Sequence, residues 1–78
     1  MAPTPLSQAA SGDRCLVLEI APEPAELRNR LYALGIIPGC DLEVLRFAPM
    51  GDPMQLKVSG SFISIRKSEA HIIQVEIQ

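Results

Sequence analysis

Five short runs of residues in this sequence fit β-strands, and proline or glycine occurs in three of the four segments that separate them. Apolar side chains recur at every second position in most runs, the spacing that places them on one face of a β-strand. The runs cover residues 14–20, 41–47, 54–59, 61–66 and 73–77. In the first run this spacing places Leu16, Leu18 and Ile20 on one side, with Cys15 and Val17 opposite. Strands this short favour a closed or nearly closed barrel, because closure removes exposed strand edges.

A helical segment is predicted between the first two strands. Pro22 and Pro24 end the first strand, and Pro24 can occupy the first turn of a helix, where its missing N–H costs nothing. Apolar residues then follow at helical spacing, at Leu27, Leu31 and Leu34. Arg28 and Arg30 are expected to face solvent. A second helical turn, opened by a serine cap, is predicted over residues 68–71.

Two glycines and a proline after the first helix predict a tight change of chain direction. Gly35 stands where a left-handed residue would cap the helix, and Ile36 is placed to contact Leu31 as the apolar partner of that cap. Pro38 and Gly39 fit the two central positions of a type II turn. These residues are interpreted as structural turn residues.

Length and charge restrict the chain further. With 78 residues it can form one domain, expected over residues 9–78, while residues 1–8 are expected to be a loosely ordered tail from which Leu6 can anchor on the barrel. The net charge of −2, with scattered basic residues, argues against nucleic-acid binding. No signal sequence and no apolar run of about 20 residues is present, so we expect a cytoplasmic protein without membrane insertion.

Residue types that carry chemistry are few. Cys15 and Cys40 each stand alone in apolar surroundings, which favours buried, reduced thiols. His71 with Glu69 and Glu76 lacks the spacing of a metal site, and there is no glycine-rich phosphate loop. The sequence therefore predicts no enzyme, no cofactor and no metal ligands.

Two longer stretches go beyond the general pattern of a small barrel. Residues 31–39 read Leu-Tyr-Ala-Leu-Gly-Ile-Ile-Pro-Gly, and residues 46–53 read Arg-Phe-Ala-Pro-Met-Gly-Asp-Pro. Ile-Ser-Ile-Arg at 63–66 and Glu-Ala at 69–70 follow in the same order. In order and spacing this chain resembles the FeoA family, with Met50 in place of a more usual leucine.

The resemblance implies a mainly β fold, an SH3-like five-stranded barrel with one inserted amphipathic helix and a short helical turn before the last strand. A similar domain forms the C-terminal part of repressors of the diphtheria-toxin-repressor type. The resemblance also implies a link to transition metals and an accessory role in ferrous iron uptake, through the cytoplasmic GTPase region of the membrane transporter FeoB. A metal-linked transcription accessory is the alternative. The oligomeric state is left open, a homo-oligomer included.

The loop formed by Pro49, Met50, Gly51, Asp52 and Pro53 is the candidate partner-binding site. Two prolines around a large apolar side chain make a stiff loop that can present this side chain at a low entropic cost. The sequence leaves open whether the loop binds a partner or only turns the chain. An arginine inserted beside the partner's nucleotide is a further alternative. By residue type alone its candidates are Arg28, Arg46 and Arg66.

Overall fold

A computed structural model describes residues 3–78 of the chain. Six antiparallel strands form one sheet in the order β1-β6-β2-β3-β4-β5. The strands are β1 (Thr4–Pro5), β2 (Arg14–Ile20), β3 (Asp41–Phe47), β4 (Met54–Val58), β5 (Ser61–Ile65) and β6 (Ile73–Ile77). Two α-helices and one 3-10 turn connect them, namely α1 (Ala25–Ala33), α2 (Lys67–Ala70) and the turn Leu6–Gln8.

The core lies on one face of this curved sheet. Alternate residues of β4 and β6 are fully buried, as period-two burial requires. Leu31 of α1 and Ile36, which follows that helix, close the core from the side. The buried set is entirely apolar among the described residues, so the core is held together by burial of hydrocarbon surface.

The buried face of β2 differs from the predicted one. Cys15 and Val17 are buried, whereas Leu18 is 36% exposed. The pairing register between β2 and β6 shifts between Val17 and Glu19, so an additional residue is accommodated in β2. The shift returns Ile20 to the core side, where it is buried with Cys15 and Val17. Grouping Leu18 with Ile20 on one face was therefore wrong.

The N-terminal segment, expected as a loosely ordered tail, pairs in part with β6. Thr4 and Pro5 pair with Val75 and Gln74 of β6, which adds a sixth strand to the five predicted ones. Leu6 is fully buried, because it anchors the 3-10 turn in the core. The part of the prediction that concerns residues 1 and 2 lies outside the described residues.

Helix α1 begins after Pro24 and buries a narrower stripe than its leucine spacing suggests. Leu31 is fully buried, but Leu34 is 36% exposed. Arg28, expected in solvent, is only partly exposed, and its guanidinium carbon lies 5.7 Å from the centre of the Tyr32 ring. The helix therefore contacts the core through Leu31, with the partly buried Leu27 packed beside it.

The end of α1 and the following turn are tied to β2. The N–H groups of Gly35 and Ile36 donate to the carbonyls of Tyr32 and Leu31, both at 3.0 Å, and Gly35 has a φ of +93°. This is the hydrogen-bond pattern of a Schellman cap. The N–H of Gly39 then donates to the carbonyl of Val17 at 2.7 Å, which fixes the turn against the neighbouring strand.

Helix α2 begins one residue earlier than predicted and is not opened by a serine. Its first free N–H groups are satisfied by carboxylates: the N–H of Arg66 donates to Glu69 Oε1 at 2.8 Å, and the N–H of Lys67 donates to Asp52 Oδ1 at 2.9 Å. Ser68 lies exposed within the helix. Glu69 also forms an ion pair with Arg30 of α1 at 2.6 Å, so this carboxylate joins the two helices.

Candidate partner-binding loop

The loop of residues 48–53 joins β3 to β4 and presents one apolar side chain to solvent. The N–H of Gly51 donates to the carbonyl of Ala48 at 2.7 Å, which closes a four-residue turn with Pro49 at its second position. The N–H of Ala48 donates to the carbonyl of Pro53 at 2.9 Å, which holds the two ends of the loop together. The Met50 side chain at the tip is 93% exposed.

A lysine that the sequence analysis did not single out fixes this loop from the far side. Lys67 is the first residue of α2. The hydrogen bond that its main-chain N–H donates to the Asp52 carboxylate connects the loop to that helix. The Nζ atom of Lys67 lies 5.0 Å from the centre of the Phe47 ring, at the end of β3. A Cβ placed on Gly51 would lie 3.7 Å from the same Nζ. Fifteen residues separate Asp52 from Lys67, so no local pattern could have indicated this contact.

The residues around Met50 form a surface of the kind that binds another protein. Asp52, Pro53 and Arg66 line a small cleft of about 240 Å³. The Met50 side chain, with the Asp52 carboxylate and the Arg66 guanidinium nearby, can enter an apolar depression on a partner protein whose rim carries polar groups. Gly51 has a φ of +87°, which a residue with a side chain rarely adopts. Pro49 and Gly51 together therefore define the direction in which Met50 points.

Side chains with metal or catalytic potential are not brought together in the part of the chain that the structure describes. Within residues 3–78 no group of three or more His, Cys, Asp and Glu side chains could hold a metal ion. The Glu69 carboxylate is engaged by Arg30 and by the N–H of Arg66, while His71 is exposed. The fold provides no evident metal centre in this range.

The two cysteines have different environments. Cys15 is fully buried, and burial raises the pKa of its thiol to about 11, with a smaller contribution from the nearby charge of Asp13. Cys40 is partly buried, packs against the core and is also a free thiol. The neutral thiol of Cys15 is a poor nucleophile, since nucleophilic attack requires the thiolate.

The three arginines considered for GTPase activation are engaged in different ways. Arg46 Nε donates to Gln55 Oε1 at 2.7 Å on the outer face of the sheet. Arg28 lies over Tyr32 on α1, and Arg66 is exposed beside the candidate loop. Arg66 is thus the one of the three that lines the cleft by Met50. An insertion of Arg66 beside a nucleotide stays a prediction.

The fold defines a class of small β-barrel domain. It superimposes with a TM-score of 0.91 on a manganese-dependent transcriptional repressor, covering 100% of this chain and 42% of the repressor at 17% identity. This likeness is one of fold alone, and it confirms the predicted SH3-like architecture. No helix within residues 3–78 is long and apolar enough to cross a membrane.

The FeoA domain family matches residues 4–77, and this chain belongs to that family. A solution structure of a FeoA-like protein from Clostridium acetobutylicum is 34% identical and superimposes with a TM-score of 0.92, over 99% of this chain and 88% of that one. A fusion of Fe(2+) transport protein A with the Fe(2+) transporter FeoB, from Porphyromonas gingivalis, is 26% identical over 72 residues. That match covers 92% of this chain and 8% of the fusion protein.

Proposed function

We propose that this protein is a non-catalytic accessory protein of ferrous iron uptake, which acts in the cytoplasm by docking on the GTPase region of a FeoB-type transporter. Family membership and the fused relative support the link to the transporter, because fusion keeps two proteins that work together at a high effective concentration. No cofactor is needed for this role.

The observation that carries the proposal is the exposure of Met50 on a constrained loop. A thioether side chain that is 93% exposed contributes nothing to the core. The turn bond from Gly51 to Ala48 and the tie from Lys67 to Asp52 restrict the loop before any partner arrives. Less conformational entropy is then lost on binding, and a flexible Met adapts to an apolar recess.

The alternative, a metal-linked transcription accessory, has weaker support. The likeness to the manganese-dependent repressor, at 17% identity, concerns the fold only. The net charge of −2 also disfavours contact with the phosphates of DNA. Family membership and the fused relative favour the transporter hypothesis.

The test is the substitution Met50→Asp. A charge buried without a partner at the centre of the contact should weaken association with the transporter's cytoplasmic domain by about 2 kcal/mol or more, while the free protein melts as wild type does. Met50→Leu should keep binding, because volume and polarity are preserved. Asn29→Asp, which adds the same charge at an exposed position of α1, is the matched control.

Pull-down of the cytoplasmic domain, thermal melting and ferrous uptake by cells lacking the native copy are measured on the same variants. Loss of binding and uptake in Met50→Asp, with both retained in Asn29→Asp, would support the loop as the interface. If Met50→Asp melts, binds and supports uptake as wild type does, the loop is only a turn and the interface lies elsewhere.

A further inference from the structure

Strand β5 lies at one end of the sheet, and its outer edge is free and lacks the usual protection. The sheet order places β1 and β5 at its two ends, and β1 is only two residues long and contains a proline. β5 has five residues, pairs with β4 in an unbroken register, and contains no proline, glycine or charged residue. Natural proteins usually protect such edges with charges, prolines or bulges. This edge offers about 16 Å of main chain for pairing.

An exposed aromatic side chain stands on this strand. Phe62 is 73% exposed and lies opposite Lys57 of β4, whose Nζ atom is 5.9 Å from the ring centre. A shallow groove of about 620 Å³ runs beside the ring. Its lining residues come from β3, β4 and β5, namely Leu45, Arg46, Gln55, Phe62, Ile63 and Ser64. An apolar side chain from a neighbouring strand would contact Phe62 there.

Positive charge is concentrated around β5, although the chain as a whole has a net charge of −2. Lys57 belongs to the adjacent strand β4, Arg46 lies one strand further away on β3, and Arg66 and Lys67 directly follow β5. These four make up more than half of the seven basic residues. Glu43, which lies opposite Lys57, offsets part of this charge, and Asp52 is bonded to the N–H of Lys67. The region beside β5 is thus complementary to negative charge.

We infer that β5 accepts an additional strand from a partner protein, and that this strand is an extended acidic segment. Its main chain would pair with the free edge of β5. On the face of the sheet that carries Phe62 and Lys57, its apolar side chains would contact Phe62 and its carboxylates would lie near Lys57 and Arg66. The inference concerns a different surface from the Met50 loop, and it does not depend on the proposed docking to the transporter.

A synthetic peptide of three Val-Thr-Glu-Thr repeats, which places valine and glutamate on the same face of an extended strand, is the probe, titrated into the isotopically labelled full chain. We expect the amide resonances of β5 to shift, amide hydrogen exchange along β5 to slow, and affinity to fall as salt is added. The same peptide methylated at every backbone nitrogen has no N–H donors, so it should bind at least roughly tenfold more weakly. The same peptide with lysine in place of each glutamate should also bind at least roughly tenfold more weakly.

Protein variants separate this surface from the candidate loop. Lys57→Gln removes one flanking charge and should weaken peptide binding, whereas Met50→Asp should leave it unchanged. Equal binding of the methylated or the lysine peptide, or no response of β5 to the acidic peptide, would overturn the inference. Dimerisation through β5 in sedimentation would assign the edge to a second copy instead. Binding of oligothymidylate at Phe62, with no peptide binding, would assign it to nucleic acid.

Discussion

The main-chain N–H of Lys67 donates a hydrogen bond to Oδ1 of Asp52 across 2.9 Å, and this contact joins the β3–β4 loop to helix α2. Asp52 thereby supplies to α2 the acceptor that Ser68 was predicted to provide. Because the carboxylate satisfies a free N–H at a helix start, the loop and the helix stabilise each other. The orientation of Met50 thus depends in part on a helix that is distant in sequence.

Asp52→Ala should lower the free energy of unfolding by about 1 kcal/mol, since it removes the acceptor for the N–H of Lys67. Urea denaturation measures the change. Asp52→Asn keeps an oxygen at the same place and should lose less. Ser68→Ala should have little effect, because that hydroxyl is not the cap. An equal loss in Asp52→Ala and Ser68→Ala would show that this assignment of the cap is incorrect.

Leu31→Ala should destabilise the domain by ~2 to 5 kcal/mol, because Leu31 is the fully buried leucine through which α1 contacts the core. Leu34→Ala, at the partly exposed residue that directly follows α1, is the control and should lose much less. Both variants are compared by chemical denaturation. Similar losses for the two would mean that α1 contacts the barrel through a wider face than the structure shows.

Gly35→Ala should cost about 1 to 2 kcal/mol, because Gly35 has a positive φ that an L-residue with a Cβ rarely adopts. The space itself is sufficient, since the added Cβ would lie 3.8 Å from Val58 Cγ1. Gly39→Ala, at the same φ and with no atom within 4 Å, should therefore cost a similar amount. Thermal melting compares the two. A much larger loss at Gly35 would indicate steric conflict with Val58.

The thiol of Cys15 should make stability depend on pH in the alkaline range. Its pKa in the folded protein, about 11, lies above the ordinary value of 9.0, so the neutral thiol favours the folded state below pH 9. This contribution is lost as the pH rises through 11. The free energy of unfolding should therefore fall more steeply between pH 9 and 11 in wild type than in Cys15→Ala. If Cys15→Ala keeps the wild-type slope, the assignment to Cys15 fails.

The strand positions could be predicted from the sequence because burial on one face imposes a period of two. The bounds of β2 and β3 agree with the predicted runs, and Met54, Leu56 and Val58 are all buried as their alternation indicates. The helix cap at Gly35 depends on residues that are close in sequence, so it could also be predicted. The family motifs supplied the SH3-like class, and the superposition on the repressor domain confirms it.

What the sequence could not reveal depends on contacts between distant residues. The register shift at Val17 and Glu19 arises from pairing with β6, and no residue type in β2 indicates it. Pairing of Thr4 with Val75 spans nearly the whole chain, and two residues are too few to show a period. The contact between Lys67 and Asp52 also joins residues that are distant in the sequence. The surface at Phe62 became visible only when the sheet order placed β5 at an open end.

The position of β6 has a consequence for folding during translation. β6 is the last strand of the chain, yet it lies between β1 and β2 in the sheet. As the polypeptide leaves the ribosome, β3, β4 and β5 can each pair with the strand synthesised just before it. β1 can pair only after residues 74 and 75 have been synthesised, because its pairing partners are Val75 and Gln74. One edge of β2 therefore remains open, and accessible to chaperones or to other nascent chains, until residues 73–77 leave the exit tunnel.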